Sequence, residues 1–344
     1  MSNARKLADN LPSVGQLAGR NVIVNGAMQV AQRGTSFASV GNVYTLDRFQ
    51  MYKQNSGAAF TVTQSSVTDL EGFANALKVD CTTADTSLAS NEQGYVSYFA
   101  EGQDCQRLKK GHGSDAVPTT LSFYVKTNKT GLYTVSIFDR DNTRKVNGSY
   151  TVANTNWNRY SITFPADASG KLDDDSASSL EIFFNLYAGA DTNTGTLYTA
   201  WQASADAGST TGQVNFADST SNDWEITGIQ LEVGSQSTPF EHEPYSVTLA
   251  KAQRYYQKIY YSYEGAFGSS GNGTPHETAL ATPMRAAPTV TRSEITKGGH
   301  CLGFNFGAVH DSGSGLFSYL KVSLSYSGTS YGYFLCNFFL DAEL

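Results

Sequence analysis

The sequence predicts a mainly β protein, an antiparallel β-sandwich followed by a short helix and a smaller C-terminal β domain. Several segments alternate between hydrophobic and polar residues, and polar turn-forming stretches separate them. In addition, only 16% of the 344 residues are charged, whereas the chain has 32 glycines, 20 tyrosines and 19 phenylalanines. This composition is unlike that of helical bundles, which are rich in Ala, Leu, Glu and Lys. It is also unlike that of disordered chains, which have few aromatic residues.

Four segments show the period of two that is typical of a strand with one buried face. Their predicted core-facing residues are, in chain order, Leu121, Phe123 and Val125; Tyr133, Val135 and Ile137; Tyr160, Ile162 and Phe164; and Leu180, Ile182, Phe184 and Leu186. Because short strands linked by polar turns are characteristic of antiparallel sandwiches, we expect these four in one sandwich. A further short strand is predicted at residues 21–26, ending in the turn Asn25-Gly26.

The last strand of this block, residues 224–233, contains a change of phase. Its hydrophobic residues are Trp224, Ile226, Ile229, Leu231 and Val233. The last three alternate with each other but are one residue out of step with the first two. A β-bulge at Gly228 would turn all five side chains towards the core, so we predict a bulge at this glycine.

The chain divides into three regions. Residues 1–20 are polar and interrupted by Pro12, so we expect either an arm outside the core or a disordered tail. Residues 21–245 form the predicted sandwich. Residues 246–344, close to the common size of a domain, form the predicted C-terminal β domain.

The C-terminal region begins with the clearest helix signal of the chain, over residues 246–260. Ser246 is the expected N-cap. A hydrophobic stripe at helical spacing follows it, made of Leu249, Ala252, Tyr256 and Ile259. We expect the Gly/Ser-rich residues 265–273 to form a loop, and residues 331–340 to form the last strand.

Charge and motifs exclude several classes of function. The net charge of −7 argues against broad nucleic-acid binding, which needs clustered Lys and Arg. No run approaches the roughly 18 consecutive apolar residues of a membrane span, and no signal peptide is recognisable. We therefore expect no membrane insertion and synthesis in a cytoplasm. No CxxC pair, HExxH motif or phosphate-binding loop is present, so we expect no metal and no cofactor.

Two groups of acidic residues are candidates for chemistry, the turn at residues 173–175 and the pair Asp139 and Asp141. Oxygen-rich turns bind Ca²⁺, and paired carboxylates hydrolyse glycosides. However, the spacing matches no defined calcium loop, and nothing places two of these carboxylates on opposing strand ends. Solvated acidic turns are the favoured interpretation, so we predict no catalytic residues and no enzyme activity.

Aromatic residues on the faces opposite the predicted core rows are the more unusual feature. Tyr124, Phe183 and Tyr187 lie opposite the core-facing residues of their strands, and Trp201 lies outside any predicted strand. Flat rings on a sandwich surface stack on the apolar faces of sugar rings. The alternative is packing against a neighbouring subunit or a second domain. These four residues are our candidate ligand-binding residues.

Several stretches of the sequence resemble structural proteins of tailed bacteriophages. Residues 21–34 (NVIVNGAMQVAQRG) and 44–49 (YTLDRF) are similar to the opening of a β-sandwich module in tail-fibre and related proteins. Residues 224–234 (WEITGIQLEVG), 238–242 (TPFEH) and 252–257 (AQRYYQ) resemble its closing strand and the helix that follows.

The two ends of the chain also resemble such proteins. Residues 284–289 (MRAAPT) and 341–344 (DAEL) are similar to their C-terminal parts, and residues 1–6 (MSNARK) to the starts of fibre proteins from short-tailed phages of marine bacteria. The resemblance implies a jelly-roll similar to carbohydrate-binding modules, assembly that is usually homotrimeric, and a place on the phage particle. It supplies no catalytic residues. The chain has no collagen-like, coiled-coil or triple β-helix shaft, so a short spike, tail-hub decoration or capsid-surface fibre fits its length better.

The resemblance predicts a virion structural protein, a tail fibre or spike, made in the host cytoplasm and located on the particle surface. Residues 1–20 would attach it to other virion proteins, and the remainder would recognise the host cell surface, with a glycan as the expected ligand. A purely architectural component, such as a tail-hub, connector or capsid-surface fibre, is the alternative. A glycan depolymerase is the third hypothesis.

Overall fold

The computed structural model describes residues 19–266, 271–272, 276–293, 296–299, 301–311, 317–326 and 331–344. The chain divides into two compact units, of which the first ends at Pro244 and the second begins at Tyr245. The predicted boundary falls between residues 245 and 246. The predicted arm, residues 1–20, lies outside the described residues except for its last two. Both units consist mainly of antiparallel strands, which confirms the predicted fold class.

The N-terminal unit is an antiparallel jelly-roll β-sandwich. Its described strands are β1 (Ser36–Phe37), β2 (Val43–Tyr44), β3 (Phe49–Gln54), β4 (Ala59–Ser66), β5 (Asn75–Thr83), β6 (Gln93–Glu101), β7 (Thr119–Thr127), β8 (Gly131–Asp139), β9 (Arg144–Val152), β10 (Asn158–Phe164), β11 (Ser178–Ala188), β12 (Gln202–Ala203) and β13 (Asp223–Val233). One sheet has six strands in the order β1-β4-β5-β13-β7-β10, and the other has seven in the order β12-β9-β8-β11-β6-β3-β2. The connections contain a one-turn helix, Gly102–Cys105, and the 3₁₀ turns Gln106–Leu108, Gly113–Asp115 and Phe216–Asp218.

The hydrophobic core lies between these two sheets. Phe123 on β7 meets Phe184 on β11 at a ring-centroid distance of 5.2 Å. Phe60 on β4 stacks on Tyr187 of β11 at 5.7 Å, and Trp224 of β13 is fully buried in the same cluster. Because large rings remove much apolar surface from water, these contacts across the two sheets stabilise the sandwich.

The four strands predicted from alternation are present as β7, β8, β10 and β11. Every predicted core-facing residue of β7, β8 and β11 is buried. On the edge strand β10, Phe164 is buried, whereas Tyr160 and Ile162 pack against the core while partly exposed. The period of two therefore identified the buried face of each of these strands correctly.

The predicted bulge in β13 is confirmed. The pairing of β13 with β7 shifts register between Thr227 and Gln230, and Gly228 has the left-handed φ of 63°. The hydrophobic residues on both sides of the bulge face the core, where four are buried and the last is partly buried: Trp224, Ile226, Ile229, Leu231 and Val233.

The strand predicted at residues 21–26 is wrong. The segment ends in a turn that starts at Val24, with Asn25 at the positive φ of 63°. The reason lies in the neighbouring strand, because the pairing of β13 with β5 stops at Ile226. Beyond the bulge, β5 no longer pairs with β13, so the backbone groups of β13 on that edge bond to the N-terminal segment.

The N-terminal segment takes the place of β5 beside the end of β13. The Ile229 N–H donates to the Gly26 carbonyl, and the Val22 N–H donates to the Leu231 carbonyl, each at 3.0 Å. The Asn21 side chain accepts from the Leu231 N–H at 3.0 Å and donates to the Ile229 carbonyl at 3.1 Å. Side-chain bonds thus alternate with backbone bonds, and no regular ladder forms.

The segment that follows β13 closes over the same region. The Glu241 carboxylate accepts from the backbone N–H groups of Gly19 and Asn21. Thr238 donates to the Glu232 carboxylate through its backbone N–H at 2.8 Å and its hydroxyl at 2.7 Å. The opening and closing stretches that carry the phage resemblance therefore bond to each other around the bulge.

The C-terminal unit contains the helix Tyr245–Gln253 and two four-stranded sheets. Its described strands are β14 (Tyr256–Ala266), β15 (Gly271–Asn272), β16 (His276–Met284), β17 (Thr289–Arg292), β18 (Thr296–Gly299), β19 (Cys301–Asp311), β20 (Phe317–Tyr326) and β21 (Tyr331–Asp341). In one sheet β21 pairs with β14, β17 and β18, and in the other β20 pairs with β15, β16 and β19. Leu320, Phe334 and Phe338 are fully buried in the core of this unit. The strand predicted at residues 331–340 is confirmed.

The helix predicted over residues 246–260 is right only in its first half. It ends at Gln253, and residues from Tyr256 onwards belong to β14, which pairs with β21 along its whole length. Tyrosine and isoleucine, frequent after Gln253, favour strands, and pairing with β21 outweighs the helical pattern. The predicted loop at residues 265–273 lies mostly outside the described residues. No helix in the described ranges is long and apolar enough to cross a membrane.

Replacing Gly228 by alanine is expected to destabilise the N-terminal unit. A Cβ there would lie 2.8 Å from the rings of Phe73 and Tyr124, at a φ of 63°. We expect the free energy of unfolding to fall by roughly 2–4 kcal/mol, from backbone strain and overpacking together. Denaturant unfolding followed by tryptophan fluorescence measures this unit alone, because all three tryptophans lie in it.

The matched control is Gly195→Ala, since Gly195 has a φ of 76° but no atom within 4 Å of the added Cβ. It isolates the backbone strain, which is about 1 kcal/mol. Equal losses in the two variants would contradict the close packing at the bulge.

Candidate functional site

The outer side of the seven-stranded sheet carries an unusual concentration of rings and charges. Residues paired across neighbouring strands share a face, so the pairings define three outward rows. The rows are Tyr52, Tyr95 and Asn185; Gln50, Ser97, Phe183 and Ser136; and Phe99, Glu181, Phe138 and Lys145. Together with Arg140, which directly follows β8, these residues are called the aromatic face below.

Three rings of the aromatic face form a row across three adjacent strands. Tyr52 on β3 stacks on Tyr95 on β6 with a centroid distance of 4.6 Å and an interplanar angle of 14°. Phe183 on β11 meets Tyr95 edge-on, at 4.6 Å and 79°. The two tyrosines are half-buried, and Phe183 is 9% exposed. The strand order β3-β6-β11 thus brings together rings that are distant in sequence.

Two cations border this row. The Lys145 ammonium lies 5.6 Å from the ring centroid of Phe183 and 5.9 Å from that of Phe138. The Arg140 guanidinium lies 5.7 Å from the ring of Phe99. Cations held over ring faces at these distances gain from the quadrupole of the ring.

The single carboxylate within the three rows belongs to Glu181. Its Oε2 accepts from Arg140 Nη1 at 2.7 Å. Burial raises the pKa of Glu181 to about 7, against the opposing effect of Arg140 and Lys145. Burial, with a contribution from Glu181, also holds the pKa of Tyr95 far above its usual value, so the hydroxyl remains protonated. The charge of the face therefore changes near neutral pH through Glu181.

Polar side chains complete the aromatic face. Ser97 lies between Gln50 and Phe183 in the register and is fully buried, and its Oγ has no hydrogen-bond partner in the described part of the chain. Beyond the tyrosines, Gln93 donates to Gln54 at 2.8 Å. Rings that offer flat apolar surface, beside amides and hydroxyls, suit a ligand that has apolar faces and hydroxyl edges.

Of the four predicted ligand-binding residues, only Phe183 lies on the aromatic face. The prediction for Tyr187 is wrong, because the register shift between Asn185 and Tyr187 turns this ring into the core, where it is fully buried against Phe60. A bulge moves the following residue to the opposite face, and the alternation in the sequence gives no sign of it here.

The other two predicted residues lie elsewhere in the N-terminal unit. Tyr124, on the six-stranded sheet, packs against the ring of Phe73 at 5.2 Å. Trp201 covers the buried ammonium of Lys110, which lies 4.6 Å from its ring centroid, and its Nε1 donates to the Pro165 carbonyl at 3.0 Å. The structure therefore does not bring the four predicted residues together.

The acidic candidates are engaged in structural contacts. Asp139 is fully buried and ion-paired with Lys110, which also lies 3.0 Å from Asp167. Asp141 accepts from the backbone N–H of Asp173 at 2.9 Å, and Asp175 accepts from that of Ala177 at 2.8 Å. Among the residues that the structure describes, no group of three or more His, Cys, Asp or Glu side chains is placed to hold a metal ion.

The sequence-based reasoning missed Tyr52, Tyr95, Glu181, Lys145 and Arg140 as members of one site. A partial signal exists in β6, where Tyr95 and Phe99 alternate with Val96, Tyr98 and Ala100. However, aromatic rings occur on both faces of this strand, so alternation does not distinguish the outer face from the core.

The sequence matches no protein-family model and no curated protein. Among solved structures, the enzymatically active domain of tailspike protein 4 of bacteriophage CBA120 matches with a TM-score of 0.32 and 11% identity, over 62% of this chain and 21% of that one. The family 11 carbohydrate-binding module of Clostridium thermocellum matches with a TM-score of 0.30 and 13% identity, over 60% and 98%. A xylan-binding domain of Paenibacillus barcinonensis matches with 0.28 and 12%, over 59% and 94%. These likenesses are too remote to decide a function.

The raised pKa of Glu181 predicts a pH dependence of stability. Its pKa is about 7 in the folded state and near the ordinary 4.5 in the unfolded state. Between these values the folded protein binds more protons, so this group lowers the free energy of unfolding as the pH rises from 4.5 to 7. Glu181→Gln lacks this titrating group. The free energy of unfolding of wild type minus that of the variant should therefore fall as the pH rises from 4.5 to 7.

Unfolding of both proteins by denaturant at a series of pH values, followed by tryptophan fluorescence, measures this difference. The exposed Glu71, changed to Gln, is the control and should leave the pH profile as in wild type. A pH-independent difference between wild type and Glu181→Gln would contradict the raised pKa.

Proposed function

We propose that this protein binds a glycan through the aromatic face, and that it does so as a tail-fibre or spike component of a phage particle. The observation that carries the glycan proposal is the ring row Tyr52, Tyr95 and Phe183, which crosses three strands on the outer side of the sandwich. Sugar rings have apolar C–H faces that stack on such rings, and their hydroxyl edges need polar partners.

The polar partners lie beside the rings. The half-buried Gln50 lies in the adjacent outward row, and the exposed guanidinium of Arg140, which is bonded to Glu181, lies next to the following one. Side chains held in a β-sheet lose little freedom on binding, so the site is largely preformed. No chemical step is needed for this function, and the proposal includes none.

The virion part of the proposal is supported by the sequence resemblance. The stretches that carry it occur in the same order along most of the chain, from residue 1 to residue 344. We propose attachment to other virion proteins through residues 1–20, assembly into a homotrimer, and display of the aromatic face to the host surface. Three copies that act together would amplify weak individual contacts.

Removing one ring of the row is expected to weaken glycan binding. Tyr52→Ala and Phe183→Ala should each lower the affinity for the glycans that wild type retains on an array by about five- to thirtyfold, since a stacked ring contributes about 1–2 kcal/mol. Tyr260→Ala removes an exposed tyrosine of the C-terminal unit and is the control that should bind as wild type does. Tryptophan fluorescence establishes that the N-terminal unit of the two ring variants is folded, and circular dichroism checks the folding of Tyr260→Ala.

Absence of glycan binding by the folded wild-type protein, on an array that includes host-surface glycans, would reject the proposal. If the aromatic face is instead covered by a neighbouring subunit, the ring variants will change the mass of the assembly and not the retention of glycan.

The virion assignment has its own test. Antibodies against the protein, used in electron microscopy of the phage particles, should label a fixed position on the tail or capsid surface, and mass measurement in solution should give three times 37.1 kDa. Deletion of residues 1–20 should leave trimers that are not incorporated. Unlabelled particles would contradict the virion role.

A further inference from the structure

We propose that the glycan is acidic and that a carboxylate of the sugar pairs with Lys145 and Arg140 at one end of the aromatic ring row. This inference rests on the proposed glycan-binding function and specifies the chemical class of its ligand. It is carried by the placement of Lys145 over Phe183 and of Arg140 over Phe99, and by the lack of a carboxylate within 4 Å of Lys145 among the described residues.

Lys145 is held by aromatic rings and not by an ion pair. Four of the eight described lysines of the N-terminal unit lie within 4 Å of an aspartate carboxylate, in the pairs Lys78–Asp80, Lys110–Asp139, Lys126–Asp69 and Lys129–Asp218. Within the described residues no carboxylate lies within that distance of the Lys145 ammonium. This cation is instead held over the rings of Phe183 and Phe138.

One cation of the aromatic face has no carboxylate beside it among the described residues. The carboxylate of Glu181 is bonded to Arg140 at 2.7 Å. The next outward residue of β6, Glu101, is fully buried, and its carboxylate accepts from the Gln103 amide. Lys145 is therefore the cation of this face with no carboxylate of the described chain within 4 Å.

The surroundings of these cations favour an anionic partner. A half-buried ammonium that lies over rings has lost part of its hydration, so its attraction for a carboxylate is less screened than in water. The guanidinium of Arg140, whose side chain is 44% exposed, presents the planar fork that suits a carboxylate. A neutral sugar would need only the rings and the amides.

The position of Lys145 agrees with the direction of the ring row. The row runs from β3 through β6 to β11, and the strand order continues through β8 to β9, which carries Lys145. A sugar bound along the row at Tyr52 and Tyr95 therefore lies towards the ammonium at the Phe183 end of the row. A uronic acid joins in one residue the apolar ring face and the carboxylate that this arrangement fits.

Matched acidic and neutral ligands test this inference. The probes are oligosaccharides of galacturonic, glucuronic, mannuronic and guluronic acid, the methyl esters of the same oligosaccharides, sulfated oligosaccharides, and the neutral glycans of the array. Wild type should bind at least one uronic-acid series at least tenfold more tightly than its methyl ester, and this preference should decrease with added salt.

The variants separate charge from stacking. Lys145→Met should lower the affinity for the acid to that for the methyl ester, and Lys145→Arg should restore most of it. Lys126→Met is the matched control, because Lys126 also lies over a ring, at 5.9 Å from Trp157, but is paired with Asp69 on the other sheet. This control should bind as wild type does, and tryptophan fluorescence establishes that all variants are folded.

The outcomes distinguish this inference from the proposed function. Equal affinity for acids and methyl esters, with Tyr52→Ala still weakening both, would overturn the acidic ligand and retain glycan binding. The same holds for binding of neutral or sulfated glycans alone. No binding to any probe would overturn the proposed function and the inference with it.

Discussion

The central position of β11 in the seven-stranded sheet is the constraint on which the candidate site depends. Its even-numbered residues from Leu180 to Leu186 enter the core, while Glu181 and Phe183 point outwards. A slip of one residue would exchange these two sets. The contact of Phe184 with Phe123 of the opposite sheet opposes such a slip. The packing that stabilises the sandwich therefore also determines which rings and charges its outer surface carries.

The bulge at Gly228 is a second constraint. The stretches of sequence that resemble phage proteins form hydrogen bonds around it. Around it, Asn21 bonds to the backbone of β13, and Glu241 bonds to the N-terminal segment. In the other opening stretch Asp47 is buried, accepts from Gln32, and has a pKa raised by that burial. None of the residues of the aromatic face lies in these stretches. The stretches that carry the resemblance therefore close the sandwich, and the aromatic face lies outside them.

Of the four residues predicted from the sequence, only Phe183 lies on the aromatic face, and the reasons are identifiable. Tyr187 follows an irregularity in β11 that returns its ring to the core. Tyr95 lies on a strand with aromatic residues on both faces, so its pattern does not show which face is buried. The sequence does not show that Lys145 belongs to the site, because its ammonium lies over two rings that belong to other strands, β8 and β11.

By itself, the sequence determined the fold class, the buried face of four strands, the bulge at Gly228 and the absence of recognisable catalytic motifs. Each of these is a local property, since alternation and turn residues act within a few positions of the chain. The tertiary structure decided which strands are neighbours, why residues 21–26 bond to β13 without forming a strand, and why a helical pattern after Gln253 becomes a strand beside β21. It also decided that Tyr52, Tyr95, Phe183 and Lys145 share one face. Such pairings depend on packing between strands that are distant in the sequence, so the pattern of a single segment does not predict them.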